Sequence, residues 1–188
     1  MIILASQSPR RSEILRNAGL PFEVRRASVD ESVQPHEPPE KYVKRIAQAK
    51  AMAVKAGPAE IVLGADTVVV IDGQIMGKPK DPDDALRMLV ALRGRKHEVL
   101  TGVCLRHGKR LIVDWAMTNV WMGPVSKEEI AEYISTGEPM DKAGAYAIQG
   151  LASKFIQRID GSYTNVVGLP VELVYKHLRT LKAAGAKD

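Results

Sequence analysis

The sequence predicts an α/β fold built on a mixed β-sheet, and three observations carry that expectation. Strand-like and helix-like segments alternate through the first half of the chain. Two long runs around His107-Gly108 then read as an antiparallel pair, which argues against a strictly parallel sheet. A chain of 188 residues, 45% of them hydrophobic, can fill one core, or one core drawn out into two lobes.

Residues 2–6 read as a short buried strand, followed by a helix with Ser8 as N-cap, Pro9 at the first helical position, an apolar face of Ile14, Leu15 and Ala18, and Gly19 as stop. FEVRRASV, residues 22–29, alternates weakly and reads as a second strand, before the polar, proline-rich loop VDESVQPHEPP. From Glu40 to Lys55 the spacing of Val43, Ile46, Ala47, Met52 and Ala53 predicts a helix ended by Gly57-Pro58. IVLGADTVVVIDGQIMG reads as one strand, or two broken at Gly64–Asp66, with a hairpin turn at Asp72-Gly73. Asp81 and Pro82 open a helix that carries Asp83 and Asp84 at its positive end and stops at Gly94. Residues 97–106 and 111–122 form the long pair. Ser126 and Glu129 make a capping box for a helix through Ile134, stopped by Gly137. A glycine-rich segment, KAGAYAIQG, precedes a strand at KFIQRI, a turn at Asp160-Gly161, and a helix from Pro170 to about Ala184. The chain reads as a single unit over 1–188, with about four residues of the terminal AAGAKD frayed.

Composition narrows the function. No run approaches the ~18–20 apolar residues of a membrane span, and IILA is too short for a signal-peptide core, so a soluble cytoplasmic protein is expected, without a membrane partner. One cysteine, Cys104, forms no internal disulfide, and four scattered histidines have no zinc-ligand spacing, so any metal is held by oxygens. The 27 basic and 22 acidic residues give a net charge of +5, spread along the chain, and only 5% of residues are aromatic. Nucleic acid is therefore not the expected partner.

Four features carry candidate chemistry. Ser8-Pro9-Arg10-Arg11 places a hydroxyl and two guanidinium groups at a helix N-terminus, a seat for phosphate; the alternative is an ordinary capped helix with both arginines in solvent. GADT puts Asp66 and Thr67 inside an apolar strand, so Asp66 is paired, metal-bound or at the mouth of a cleft. Asp30-Glu31 is the pair from which a carboxylate would share a divalent cation with Asp66, or else two loop carboxylates in water. Lys50 and Lys78 matter if they face the same anion, and Gln149 offers an amide that both donates and accepts. No P-loop, dinucleotide fingerprint or Ser-His-Asp arrangement is visible.

Taken together, ASQSPRR, GADTVV, GKP, LRGRKHEVLTGV, EPMDKAGAYAIQG and IDGSYTNVVGLP resemble the Maf family of nucleoside triphosphate pyrophosphatases, over residues 2–175. The resemblance implies a two-lobed α/β fold like that of the inosine triphosphatases, with an elongated mixed sheet flanked by helices and the active site in a central cleft. It also implies Mg²⁺ or Mn²⁺ as cofactor, a nucleoside triphosphate as substrate, and often a homodimer. Carried over by motif, Asp66 is the proton acceptor and a metal ligand. Glu31 is the other metal-side carboxylate, with Asp30 as the alternative. Ser8, Arg11, Lys50 and Lys78 bind phosphate, and Arg10, Thr67 and Gln149 mark the branch that prefers dTTP and UTP. Hydrolysis of 7-methyl-GTP, and a non-enzymatic role in septum formation or nucleic-acid binding, are the alternatives.

Overall fold

The computed structural model describes residues 1–185. The first strand, β1 (Ile2–Ala5), is buried throughout and leads into α1 (Pro9–Asn17). Next come β2 (Phe22–Val24), α2 (Pro39–Ala53), β3 (Ile61–Ile71) and β4 (Gln74–Met76). After α3 (Pro82–Leu92), the long hairpin of β5 (Lys96–His107) and β6 (Arg110–Met122) turns at Gly108-Lys109. The chain closes with α4 (Lys127–Ser135), β7 (Ile156–Asp160), α5 (Tyr163–Val167) and α6 (Val171–Gly185). Among the described residues the strands form one mixed sheet in the order β2-β1-β3-β5-β6-β7, with β4 also on β3. Pairing is parallel among β1, β2 and β3, and antiparallel elsewhere.

The expected mixed α/β architecture is present, as are the capping box of α4, the Asp81 cap of α3 and the turn at Asp72-Gly73. Four details differ. The second strand stops at Val24 rather than running to Val29: it lies at the sheet edge and pairs with β1, which itself ends at Ala5, so residues 26–29 have no strand to bond although Ala27 and Val29 still pack on the core. The second helix ends at Ala53, ahead of Gly57-Pro58, and Met52 points outward instead of joining its apolar face. Ser8 has the extended backbone of an N-cap, but its hydroxyl makes no capping bond. The five-residue α5, opened by Ser162 accepting from Asn165 N, has no counterpart in the sequence reading because it is too short to show a period. The expected fraying falls mostly on residues 186–188, which lie outside the described residues.

Two cores flank the middle of the long strands. At one end Val69, Ile71, Val99 and Val120 pack with α3 and α4. At the other, Leu63, Ala65, Val103 and Leu105 pack with α1 and α6. β3 runs about 35 Å, enough to serve both lobes, and residues 66–67 lie where it passes from one to the other.

On the opposite sheet face α2 lies unusually close, and glycine is the reason. A Cβ built on Gly64 would sit 2.2 Å from Ala47 O and 2.7 Å from Ala51 N; one on Gly102 would sit 2.2 Å from Val43 O. Gly64 therefore marks close helix contact and not a break, since β3 continues unbroken to Ile71. Gly64→Ala is expected to destabilise the protein by about 2–3 kcal/mol, because backbone cannot move aside as a side chain can. Urea unfolding measures it, and a loss below about 0.5 kcal/mol would show that α2 is free to lift.

Candidate active site

The site grows from a gap in the sheet. On one edge of β3, β1 pairs as far as Gly64 and β4 begins at Val69. Residues 65–68 have β5 on one side and no strand on the other. Side chains alternate across a strand, so Asp66 faces α2 and Thr67 faces the opposite way. Both nevertheless line one cleft of about 500 Å³, because the gap opens through the sheet between them.

Arg11 fills part of this gap. Its guanidinium is buried and donates to Gly168 O (2.8 Å), Ser6 Oγ (3.1 Å), Ala65 O (3.0 Å) and Thr67 Oγ1 (3.1 Å). The bond to Ala65 O stands where a neighbouring strand would have donated. Four of five N–H groups are spent on the protein, leaving one for a ligand. Desolvation lowers the Arg11 pKa, and the Asp66 charge opposes that shift. Arg10, a neighbour in sequence, points elsewhere: it reaches across the cleft to Asp141 (3.6 Å to the carboxylate). The same carboxylate binds Lys142, whose Nζ also donates to Glu138 O at 3.0 Å.

Asp66 is 6% exposed. Lys50, in the last turn of α2, donates to Asp66 Oδ1 at 2.7 Å and lies 2.7 Å from Glu31 Oε1. Burial pushes the Asp66 carboxyl above the ordinary aspartate value; Lys50 and then Arg11 oppose the shift. Glu31 is brought to this point by its loop, whose Glu31 carbonyl accepts from Tyr42 Oη (2.8 Å) and whose Ser32 carbonyl accepts from Arg45 (2.9 Å). Asp30 instead accepts from Ser32 N at 2.9 Å in a local turn. Ser8, Lys78 and Gln149 border the same cleft, Lys78 and Gln149 with exposed side chains. The structure thus gathers Ser8, Arg10, Arg11, Glu31, Lys50, Asp66, Thr67, Lys78 and Gln149 around one opening.

Two carboxylates, one of them buried in a charged cleft, are hard oxygen donors that suit Mg²⁺ or Mn²⁺ when phosphate oxygens complete the shell. Among the described residues no three His, Cys, Asp or Glu side chains cluster closely enough to hold a metal alone. None of the helices among them is long and apolar enough to cross a membrane.

Other contributors escaped the sequence reading. Lys142 opens the glycine-rich segment KAGAYAIQG, but nothing local distinguishes it from a surface lysine. Tyr146 Oη bonds His97 Nε2 at 2.8 Å behind that segment, and burial lowers the His97 pKa to about 4, so the imidazole is neutral. Thr101 and Asn165, both fully buried, lie behind Thr67. Both stand in motifs that carry the family resemblance, LRGRKHEVLTGV and IDGSYTNVVGLP, and Ser162, three residues before Asn165, is a local N-cap signal.

The chain is similar to several known proteins. The profile of the family described as Maf-like protein matches residues 1–181. A protein of Anaeromyxobacter sp. (strain Fw109-5) named dTTP/UTP pyrophosphatase is 51% identical over 183 residues, covering 95% of this chain and 88% of that protein. One of Koribacter versatilis (strain Ellin345), with the same name, is 51% identical over 179 residues, covering 95% and 93%. Among solved structures, the Staphylococcus aureus Ham1 protein aligns with a TM-score of 0.46 at 14% identity, over 64% of this chain and 71% of that one. A profile match across nearly every residue, with half of all aligned positions shared with such relatives, establishes that this chain belongs to the Maf family.

Proposed function

We propose that the protein hydrolyses dTTP and UTP to the nucleoside monophosphate and pyrophosphate, with a divalent cation. The observation that carries the reading is Asp66: a carboxylate buried in a cleft of cationic side chains, its proton affinity raised by burial and its charge held by Lys50. The names of the relatives supply the substrate.

Attack of water on the α-phosphorus, with pyrophosphate leaving, asks little covalent chemistry of the protein. Positioning and charge neutralisation carry the reaction. Asp66 accepts the proton of the attacking water; a carboxyl whose proton affinity is raised by burial suits that task better than an ordinary one. Lys50 keeps Asp66 and Glu31 together, so neither carboxylate repels the other out of place. Ser8 and Lys78, which line the cleft, bind phosphate oxygens, with Arg11 adding its remaining N–H. Mg²⁺ or Mn²⁺, held by Asp66 and Glu31 with the phosphates, supplies charge neutralisation when bound. Arg10, Thr67 and Gln149 read the base.

Pyrophosphate release from a panel of triphosphates with Mg²⁺ or Mn²⁺ tests the reading: turnover of dTTP and UTP above the purine nucleotides is expected, and none with either would refute it. Asp66→Asn is expected to keep nucleotide affinity while kcat drops about 10²–10⁴-fold, and a near-normal kcat would exclude Asp66 as base. Lys50→Met removes the largest charge opposing the Asp66 shift, so that carboxyl rises further. A carboxyl whose folded pKa exceeds its unfolded one binds its proton more tightly in the folded chain; stability is then present at low pH and lost as pH climbs through the folded value. Lys50→Met should therefore cost about 3–5 kcal/mol at pH 8 and less at pH 5, and equal losses by urea unfolding would contradict the pairing.

A further inference from the structure

We infer that Tyr42 and Arg45, on α2, are positioning residues that fix the register of the loop before that helix, so that the carboxylate of Glu31, and not that of its neighbour, stands beside Asp66. The inference rests on the reading of Glu31 and Asp66 as the metal-side carboxylates and adds what holds the first of them in place.

Asp66 is set by its strand, but Glu31 has no such support. Residues 25–38 join β2 to α2 without a strand or helix of their own, and residues 30–36 are exposed. A side chain on such a stretch has no defined position unless another element supplies one. The supplier is α2. Its Tyr42 ring packs with Val43, Ile46, Val68 and Leu100 and is 6% exposed, which fixes where the hydroxyl lies. That hydroxyl donates to the Glu31 carbonyl at 2.8 Å. Burial, and then the charges of Asp66 and Glu31, push the Tyr42 pKa up, so the phenol keeps the proton it donates. One turn on, the Arg45 guanidinium lies 5.5 Å from the centre of the Tyr42 ring. It donates to the Ser32 carbonyl at 2.9 Å and to both Glu37 carboxylate oxygens at 2.6 and 2.7 Å. The exposed stretch is thereby fastened near both its ends to one helix.

Both holds on residues 31 and 32 are to backbone, and this sets what they can do. Lys50 meets the Glu31 side chain at 2.7 Å and so draws on the carboxylate. Tyr42 bonds the carbonyl and takes nothing from it. Two successive peptides, those of Glu31 and Ser32, are each matched to their own donor, so a slip by one residue breaks both bonds. The Asp30 carboxylate is meanwhile turned into its own loop, where it accepts from Ser32 N at 2.9 Å. The helix that carries the two donors cannot drift, because Gly102 lets the Val43 backbone, next to Tyr42, settle against β5.

The test titrates Mn²⁺ with two readouts: turnover of UTP, and thermal stabilisation of the protein with α,β-methylene-UTP, whose α–β bridge resists cleavage. Tyr42→Phe keeps the ring in its core and removes only the hydroxyl. It should raise the half-saturating Mn²⁺ concentration about fivefold in both titrations and leave kcat at saturating Mn²⁺ within about twofold. Arg45→Lys keeps the charge but loses the fork that reaches Ser32 and Glu37 together, and should raise it about threefold. In a Glu31→Gln background, Tyr42→Phe should add nothing further. An unchanged Mn²⁺ requirement in Tyr42→Phe, whatever its melting temperature, would reduce the hydroxyl to a structural bond and overturn the inference. The same fivefold rise in the Glu31→Gln background would overturn it too, since Tyr42 would then act through another group. Either result leaves the pyrophosphatase reading intact. Mn²⁺ stabilisation that shifts as expected without any UTP turnover would support the positioning and refute that reading, and no effect of Mn²⁺ in either readout would remove both.

Discussion

The architecture around the cleft depends on one buried guanidinium. Where β1 has ended and β4 has not begun, the edge of β3 presents backbone that water or another strand would otherwise have to satisfy. Arg11 takes the Ala65 carbonyl and, with its remaining donors, ties the loop after β1 to Thr67 and to the carbonyl that follows α5. Desolvating this cation is costly, and only multiple hydrogen bonds and the nearby Asp66 charge make it tolerable. Lysine could not substitute, because a compact ammonium lacks the planar fork that reaches acceptors on three segments at once. By holding those segments apart but joined, Arg11 keeps the gap in the sheet open as a cleft.

The gap also explains how one strand supplies two unlike functional groups. In a continuous sheet Asp66 and Thr67 would face opposite compartments. Here each looks into the same opening from its own side. Asp66 meets Lys50 because glycines at positions 64 and 102 let α2 descend onto the strands until backbone touches backbone. A helix standing one methyl group higher would carry the ammonium away from the carboxylate. Packing of the most ordinary kind thus sets the electrostatics of the site.

Legibility from the sequence followed the range of the interactions. A polar GADT inside an apolar strand announced a group that needed a partner, and the structure supplies one in Lys50. Capping at Asp81 and Ser126, and the turn at Asp72-Gly73, depend on neighbours within four residues and were readable for that reason. The extension of FEVRRASV as a strand failed because alternation reports a covered face, which Ala27 and Val29 keep, and not the partner strand, which ends at Ala5. Gly64 reads locally as a break, since the residues it accommodates, Ala51 and Ala47, lie thirteen and seventeen positions away and leave no local mark. In Ser8-Pro9-Arg10-Arg11 the helix start was plain, but the opposite fates of two adjacent arginines were not.

The sequence by itself determined the kinds of groups available: a hydroxyl and two guanidiniums at a helix start, a carboxylate and a hydroxyl in mid-strand, a lysine near a helix end, and apolar periods that assign each to its element. These follow from local backbone geometry and from the cost of burying polar atoms. Only the tertiary structure decided which of those groups are already spent. Arg11 finds Gly168 across 157 positions and Thr67 finds Gly168 across 101. Partners so distant are chosen by how whole elements pack, so the hydrogen-bonding capacity left for a ligand becomes defined once the chain has folded.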